Sequence, residues 1–126
     1  MLKDKDSAAI VGVKDLDRAK AFYGETLGLK LEPKSGDDVA MYKTGGTVIC
    51  VYVSEFAGTN KANAVVWGVG DEIESIVAAL AGKGVTFEHY DMEGATYENG
   101  VHQMGDFRMV WFKDPDGNIL HLNSGD

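Results

Sequence analysis

Ala8-Ala-Ile-Val-Gly-Val13, followed by Lys14-Asp15, is restated as Ala64-Val-Val-Trp-Gly-Val69, followed by Gly70-Asp71. The offset of 56 (68 − 12) that joins Gly12 to Gly68 also joins Val13 to Val69, Gly28 to Gly84, Leu31 to Phe87 and Glu32 to Glu88. A second offset of 71 (117 − 46) joins Gly45-Gly46-Thr-Val-Ile-Cys-Val51 to Asp116-Gly117-Asn-Ile-Leu-His-Leu122. A unit stated twice implies pseudo-twofold architecture, and the groove where such halves meet is the expected place for a ligand.

Residues 8–13 alternate as a strand, with Ala8, Ile10 and Gly12 on one face and Ala9, Val11 and Val13 on the other. Asp15 is suited to cap a helix whose Leu16, Ala19, Phe22, Tyr23 and Leu27 recur at helical spacing, and Gly28 to end it in a left-handed conformation. Strands are then expected from Leu29, over Val39–Tyr42 and, after the tight turn Thr44-Gly-Gly46, over Thr47–Val53. The unit is strand, helix, three antiparallel strands.

Ser54 to Asn63 has the composition of a connector. The second unit follows, with a strand over 64–69 and a helix over about 73–82 carrying Ile73, Ile76, Val77 and Leu80 on one face. Its helical phase is displaced by 57 (73 − 16), so one residue is added before the helix and recovered later. Val85–His89 and Phe107–Phe112 are expected strands; Asp-Pro-Asp-Gly117 turns the latter into a last strand, 118–123. Asp91–Asp106 departs from the repeat and accounts for the change of offset. Phe112, with Met41 as its counterpart, is expected on the helix side, leaving Trp111 and Met109 toward the groove.

The chain of 126 residues is expected to be one domain, with modules over about 8–53 and 64–123. A single cysteine, Cys50, excludes an internal disulfide and suits a reducing, cytoplasmic setting. No apolar run approaches the roughly 20 residues of a membrane span, and the first residues lack a signal-peptide core. Twenty acidic against 12 basic residues leave a net charge of −8, which disfavours nucleic acid and anionic lipid and favours a cationic small molecule. Phosphate-loop, nucleophile-elbow and Cys-x-x-Cys motifs are absent.

Val13-Lys-Asp-Leu-Asp-Arg-Ala-Lys-Ala-Phe-Tyr23 with Leu27-Gly-Leu29, together with Leu80-Ala-Gly-Lys-Gly-Val85 and Trp111-Phe-Lys-Asp-Pro-Asp-Gly-Asn-Ile-Leu120, resembles the vicinal oxygen chelate superfamily. That group includes glyoxalase I, extradiol dioxygenases, fosfomycin-resistance enzymes and bleomycin-binding proteins, and the resemblance covers about residues 8–123. It implies an α+β fold of two tandem βαβββ modules whose curled mixed sheets surround a shared cavity. It also implies four repeat-related metal-ligand positions, which fall here on Ala8, Cys50, Ala64 and His121. Alanine has no donor atom, so half of that shell is missing, and a Cys plus a His is short of the three or four ligands zinc takes.

His121 is either a polar handle for a ligand or an imidazole filling the space of a metal ligand. Cys50, its repeat partner, is either a nucleophile beside that imidazole or a small buried hydrophobe. Trp111 and Met109 offer a flat apolar surface for a planar aromatic or cationic ligand, or serve as core. Trp67 is expected in the core beneath the helix. Tyr97–Met104, with Glu98, His102 and Gln103, is either a flexible loop over the groove or an ordinary hairpin.

These readings together point to metal-independent binding of an aromatic or cationic small molecule, as in the bleomycin-resistance branch, by a cytoplasmic homodimer that needs no cofactor. Trp111, Met109, His121, Cys50 and His102 are the expected lining. A lyase or dioxygenase with an altered metal shell, with His89 or His102 as third ligand, is the alternative; a non-catalytic dimeric interaction protein is another.

Overall fold

Alternation of small and branched residues makes Ala9–Val13 the first strand, β1, with Val11 and Val13 fully buried and Ile10 exposed. The computed structural model describes residues 1–125, and these fall into two compact units that divide after Thr59. In the first unit Asp15 caps helix α1 (Leu16–Lys20), accepting from the N–H groups of Asp17 and Arg18 at 3.0 and 3.2 Å. The helix then widens into a π-helical turn, Ala21–Thr26, before Gly28 ends it at φ +74°. Three strands follow: β2 (Lys30–Leu31), β3 (Val39–Thr44) and β4 (Thr47–Val53). β1 lies parallel beside β4, so the sheet runs β1-β4-β3-β2.

The second unit repeats this scheme. β5 (Asn63–Gly68) leads through a 3-10 turn, Gly70–Glu72, into α2 (Ile73–Gly82), which buries Ile73, Val77 and Leu80. Then come β6 (Thr96–Glu98), β7 (Val101–Met104), β8 (Phe107–Lys113) and β9 (Ile119–Asn123). β5 is parallel to β9, and the sheet runs β5-β9-β8-β7-β6. The fold is α+β, built from two βαβββ modules. None of the described helices is long and apolar enough to cross a membrane.

The two helices show where the displaced residue goes. Leu16 to Gly28 spans 12 positions (28 − 16), Ile73 to Gly84 only 11 (84 − 73). The first helix absorbs its extra residue in the π-helical turn, where Leu27 N–H reaches the Phe22 carbonyl five residues back at 2.9 Å. The second unit takes its extra residue before the helix, at Gly70 (φ +57°). A uniform α-helix over 16–27 is therefore corrected to an α-helix with one wide turn.

Register corrects the counterpart of Phe112. Tyr42 pairs with Ile49, and Phe112 with Leu120. The β4-to-β9 offset is 71 (120 − 49), but the β3-to-β8 offset is 70 (112 − 42), because the 114–118 turn is longer than Gly45-Gly46. Tyr42, not Met41, is thus equivalent to Phe112. Both are buried, at 2% and 1% exposure, and Met41 is instead equivalent to Trp111.

The expected strand over Val85–His89 reduces to one bridge, Phe87 with Phe112, and the bond from Glu88 N–H to the Trp111 carbonyl at 2.9 Å. The first unit has the same two rungs: Leu31 opposite Tyr42, and Glu32 N–H to the Met41 carbonyl at 2.7 Å. Beyond them the edge of β8 is occupied by β7, through His102 opposite Met109, so 85–89 has nothing further to pair with. The divergent segment is itself this β6–β7 hairpin, turning at Asn99 (φ 52°) and Gly100 (φ +87°). Tyr97–Met104 is therefore the hairpin alternative and not a loop.

Each unit has its own apolar layer. Tyr23, Tyr42, Ile49 and Val51 anchor the first; Val110, Phe112, Leu120 and Leu122 anchor the second. Burial of each large side chain contributes about 1.5–3 kcal/mol before entropy is counted. Trp67, opposite Leu122, is only half-buried. Arg108 in β8 ties the sheet to the start of α2, donating to Glu74 and lying 3.8 Å from Asp71.

Candidate functional site

Strand alternation sends Val110 and Phe112 into the apolar layer and so turns Met109 and Trp111 to the other face of the second sheet. Cross-strand register then decides their neighbours. Trp111 lies opposite His121, Met109 opposite Asn123 and His102, and His102 opposite Tyr97. Directly opposed residues share a face, so one side of this sheet carries Tyr97, His102, Met109, Trp111, His121 and Asn123.

Their rings form an unbroken row. Trp111 stacks on His121 with centroids 4.6 Å apart and planes 21° apart. His102 meets Trp111 edge-on at 5.0 Å, and Tyr97 meets His102 edge-on at 4.7 Å. His89 stacks on Tyr97 at 3.9 Å, and Tyr90 meets Trp111 edge-on at 5.3 Å. Offset-stacked and edge-on contacts of this kind contribute about 0.5–1.5 kcal/mol each beyond area burial.

Both buried histidines are held neutral. His121 donates from Nδ1 to the Val110 carbonyl at 3.0 Å, leaving Nε2 to accept from the Asn123 amide at 3.3 Å. The Asn123 amide oxygen accepts from Gly125 N–H at 3.0 Å, which sets the amide's orientation. Burial pushes the His121 pKa below the ordinary 6.5, opposed by the Val110 carbonyl. His102 is 1% exposed, and its Nε2 accepts from Tyr90 N–H at 3.0 Å. Its proton therefore sits on Nδ1, which makes no hydrogen bond of good geometry. Burial again lowers its pKa; the Met109 backbone opposes this, while a charge on His89 would add to it.

The hydrogen bond from Tyr90 draws the 89–95 segment over the hairpin. Between them lies a cleft of about 340 Å³ lined by His89, Tyr90, Asp91, Glu93, Tyr97 and His102 among others. A second cavity of about 440 Å³ opens on the other side of the sheet, between α2 and the hairpin, with Val77, Ala81, Glu98 and Gln103 in its wall. Glu98 and Gln103 thus belong to the helix side and not to the row of rings.

Four of the five expected lining residues, His102, Met109, Trp111 and His121, share this face of the second sheet. Cys50 lies in β4 of the first sheet, opposite Ile10 and Met41, and is half-buried. Cys50 and His121 occupy equivalent positions of different sheets, so they are not neighbours across one sheet. His89, Tyr90, Tyr97 and Asn123 join the group through contacts that the repeat does not encode. Asn99-Gly100 is the signal that locates Tyr97: a two-residue turn there pairs 97 with 102.

The residues present do not fit the four-ligand metal shell that the resemblance implies. Ala8 and Ala64 offer no donor, and both nitrogens of His121 are engaged within its own unit. Among the described residues, no three His, Cys, Asp or Glu side chains come together as a group able to hold a metal ion. His89 and His102, with centroids 5.7 Å apart, belong to no such group.

Comparison with known proteins agrees with the fold. Residues 7–122 match the model of the Glyoxalase/Bleomycin resistance protein/Dioxygenase superfamily. Among solved structures, the fosfomycin resistance protein FosX from Listeria monocytogenes is similar with a TM-score of 0.74 at 16% identity, covering 99% of this chain and 96% of that one. A glyoxalase/bleomycin resistance protein/dioxygenase from Alicyclobacillus acidocaldarius gives 0.71 at 18% identity, with 98% and 93% covered. Lactoylglutathione lyase from Agrobacterium tumefaciens gives 0.69 at 18% identity, with 98% and 95% covered. No curated protein sequence matches. With nearly the whole chain matched and the two-module fold in place, the protein belongs to the Glyoxalase/Bleomycin resistance protein/Dioxygenase superfamily, the vicinal oxygen chelate proteins.

Proposed function

We propose that the protein binds a small, planar aromatic molecule on the ring-bearing face of its second module, without a metal. The observation that carries this reading is the row Tyr97–His102–Trp111–His121, whose successive centroids are 4.7, 5.0 and 4.6 Å apart. Within this row the partly exposed rings of Trp111 and Tyr97 are available to a ligand at little cost in side-chain entropy, because their neighbours already hold them. Trp111 supplies the stacking surface and Met109 an adaptable apolar contact beside it. His121 and His102, held neutral, shape the surface without adding charge.

Binding alone needs no reacting group, and sequestration of an aromatic compound is the activity that fits this chemistry. Relatives of the same fold include proteins described as fosfomycin resistance and glyoxalase/bleomycin resistance proteins, which is in keeping with a role in handling small toxic molecules. We take the working form to be a cytoplasmic homodimer, which sedimentation at micromolar concentration would check.

Tryptophan fluorescence of the chelator-treated protein, titrated with planar heteroaromatic antibiotics and cationic glycopeptides, tests the proposal. Saturable quenching that survives chelation and disappears in Trp111→Ala is expected. Silence across the panel, or binding that requires added metal, would overturn it.

A further inference from the structure

The segment Asp91–Asp106 is where this chain departs from its own repeat, and the cleft of about 340 Å³ is built by that segment together with His89 and Tyr90. Three kinds of group meet there. Tyr97 and His89, both in its wall, form a parallel stack at 3.9 Å with planes 11° apart. His102 and Tyr90 add two more rings, 6.3 Å apart and 23° from parallel. Asp91 and Glu93 bring two carboxylates to the lining, and among the described residues neither is ion-paired to a lysine or arginine. Asp91 has only His89 nearby, at 3.6 Å.

Aromatic rings lining a cavity, beside carboxylates without a lysine or arginine partner, favour organic cations over neutral molecules. The rings do most of this work: Asp91 is fully exposed, so its charge acts mainly by steering and is screened by salt. The buried member does not oppose a cation, because His102 is held neutral by desolvation. His102 also fixes the cleft's shape, since its Nε2 holds the Tyr90 backbone at 3.0 Å while its opposite nitrogen has no partner of good geometry.

We infer that this cleft is a subsite for an alkylammonium group, formed by Tyr90, Tyr97, His89 and His102 with Asp91 and Glu93. It rests on the ring-face reading only in that the ammonium group would belong to the same aromatic ligand; the cleft's own preference for cations is independent. Trp111 adjoins the cleft's wall, because it contacts both Tyr90 and His102.

NMR titration of the full chain with three probes tests the inference: choline, its neutral isostere 3,3-dimethylbutan-1-ol, and benzyl alcohol. Choline is expected to shift side-chain resonances of His89, Tyr97 and His102 and to bind about 5- to 10-fold tighter than the isostere, the range of a partly desolvated cation–π contact. In the Asp91→Asn/Glu93→Gln variant that preference should narrow by roughly 2- to 3-fold, as for exposed charges. Tyr97→Leu should remove most of it, with the amide spectrum reporting whether the hairpin remains folded. Equal affinity for choline and its isostere, or choline shifts confined to other surfaces, would overturn the subsite. Benzyl alcohol reads the ring face separately: no shift at the Trp111 indole would overturn that reading while leaving a choline-selective cleft standing.

Discussion

The face of the first sheet that carries Cys50 and the face of the second that carries His121 occupy equivalent places in a repeated unit, yet they differ in kind. Around Cys50 stand Ile10, Met41 and Tyr52, mostly aliphatic and half-buried or exposed. Around His121 stand Trp111, Met109, His102 and Tyr97, a continuous row of rings. The apolar layers behind these faces are alike: Tyr42 and Phe112 are equivalent, as are Ile49 and Leu120. Duplication thus preserves what each half needs in order to fold, while the outward faces diverge. The β6–β7 hairpin, which the first unit lacks, supplies much of the difference.

The equivalence of the cores is the part most severely tested by mutation. Tyr42→Ala and Phe112→Ala should each cost about 3–5 kcal/mol in urea unfolding, since each removes a fully buried ring. A cost below about 1 kcal/mol for either would break the correspondence drawn from register. The hairpin comes next. Gly100→Ala must adopt φ +87° and place a Cβ 3.0 Å from Phe87 Cγ, so a loss of about 1–3 kcal/mol is expected. Hydrogen exchange at 96–104 would show whether that loss falls on the hairpin.

Trp111→Met gives the second sheet the residue of its counterpart Met41. It should weaken binding of a planar aromatic probe roughly tenfold, about the value of one lost aromatic contact, as read by calorimetry. The smallest effect concerns pH. Folding lowers the pKa of both His102 and His121, so as pH falls the unfolded chain takes up protons first. Stability should be full above about pH 6.5 and decline below it until the folded rings protonate, seen as a falling melting temperature between pH 7.5 and 5.5. A His121→Gln variant should flatten that dependence.

Much of this was legible along the chain. Alternation in Ala9–Val13 and Phe107–Lys113 shows which residues face the apolar layer, and that placed Trp111 and Met109 on the opposite face. The alanines at 8 and 64 already speak against the usual metal shell, because the resemblance places ligands at those positions and alanine has no donor atom. Other features were not legible. The π-helical turn depends on one residue's difference between two helices, and the reach of Phe87–Glu88 depends on which strand occupies the rest of the β8 edge.

Periodicity and turn chemistry are local properties, so the repeat, its helices and most of its strands could be read along the chain, whereas the reach of Phe87–Glu88 and the equivalence of Tyr42 with Phe112 could not. The convergence of His89, Tyr90, Tyr97 and His102 with Trp111 and His121 is a property of the assembled sheet. Their meeting depends on hairpin register and on one hydrogen bond, from Tyr90 N–H to His102. Contacts between residues far apart along the chain are set by how strands align and not by spacing, which is why the second module's ring-bearing face emerges only once the sheet is assembled.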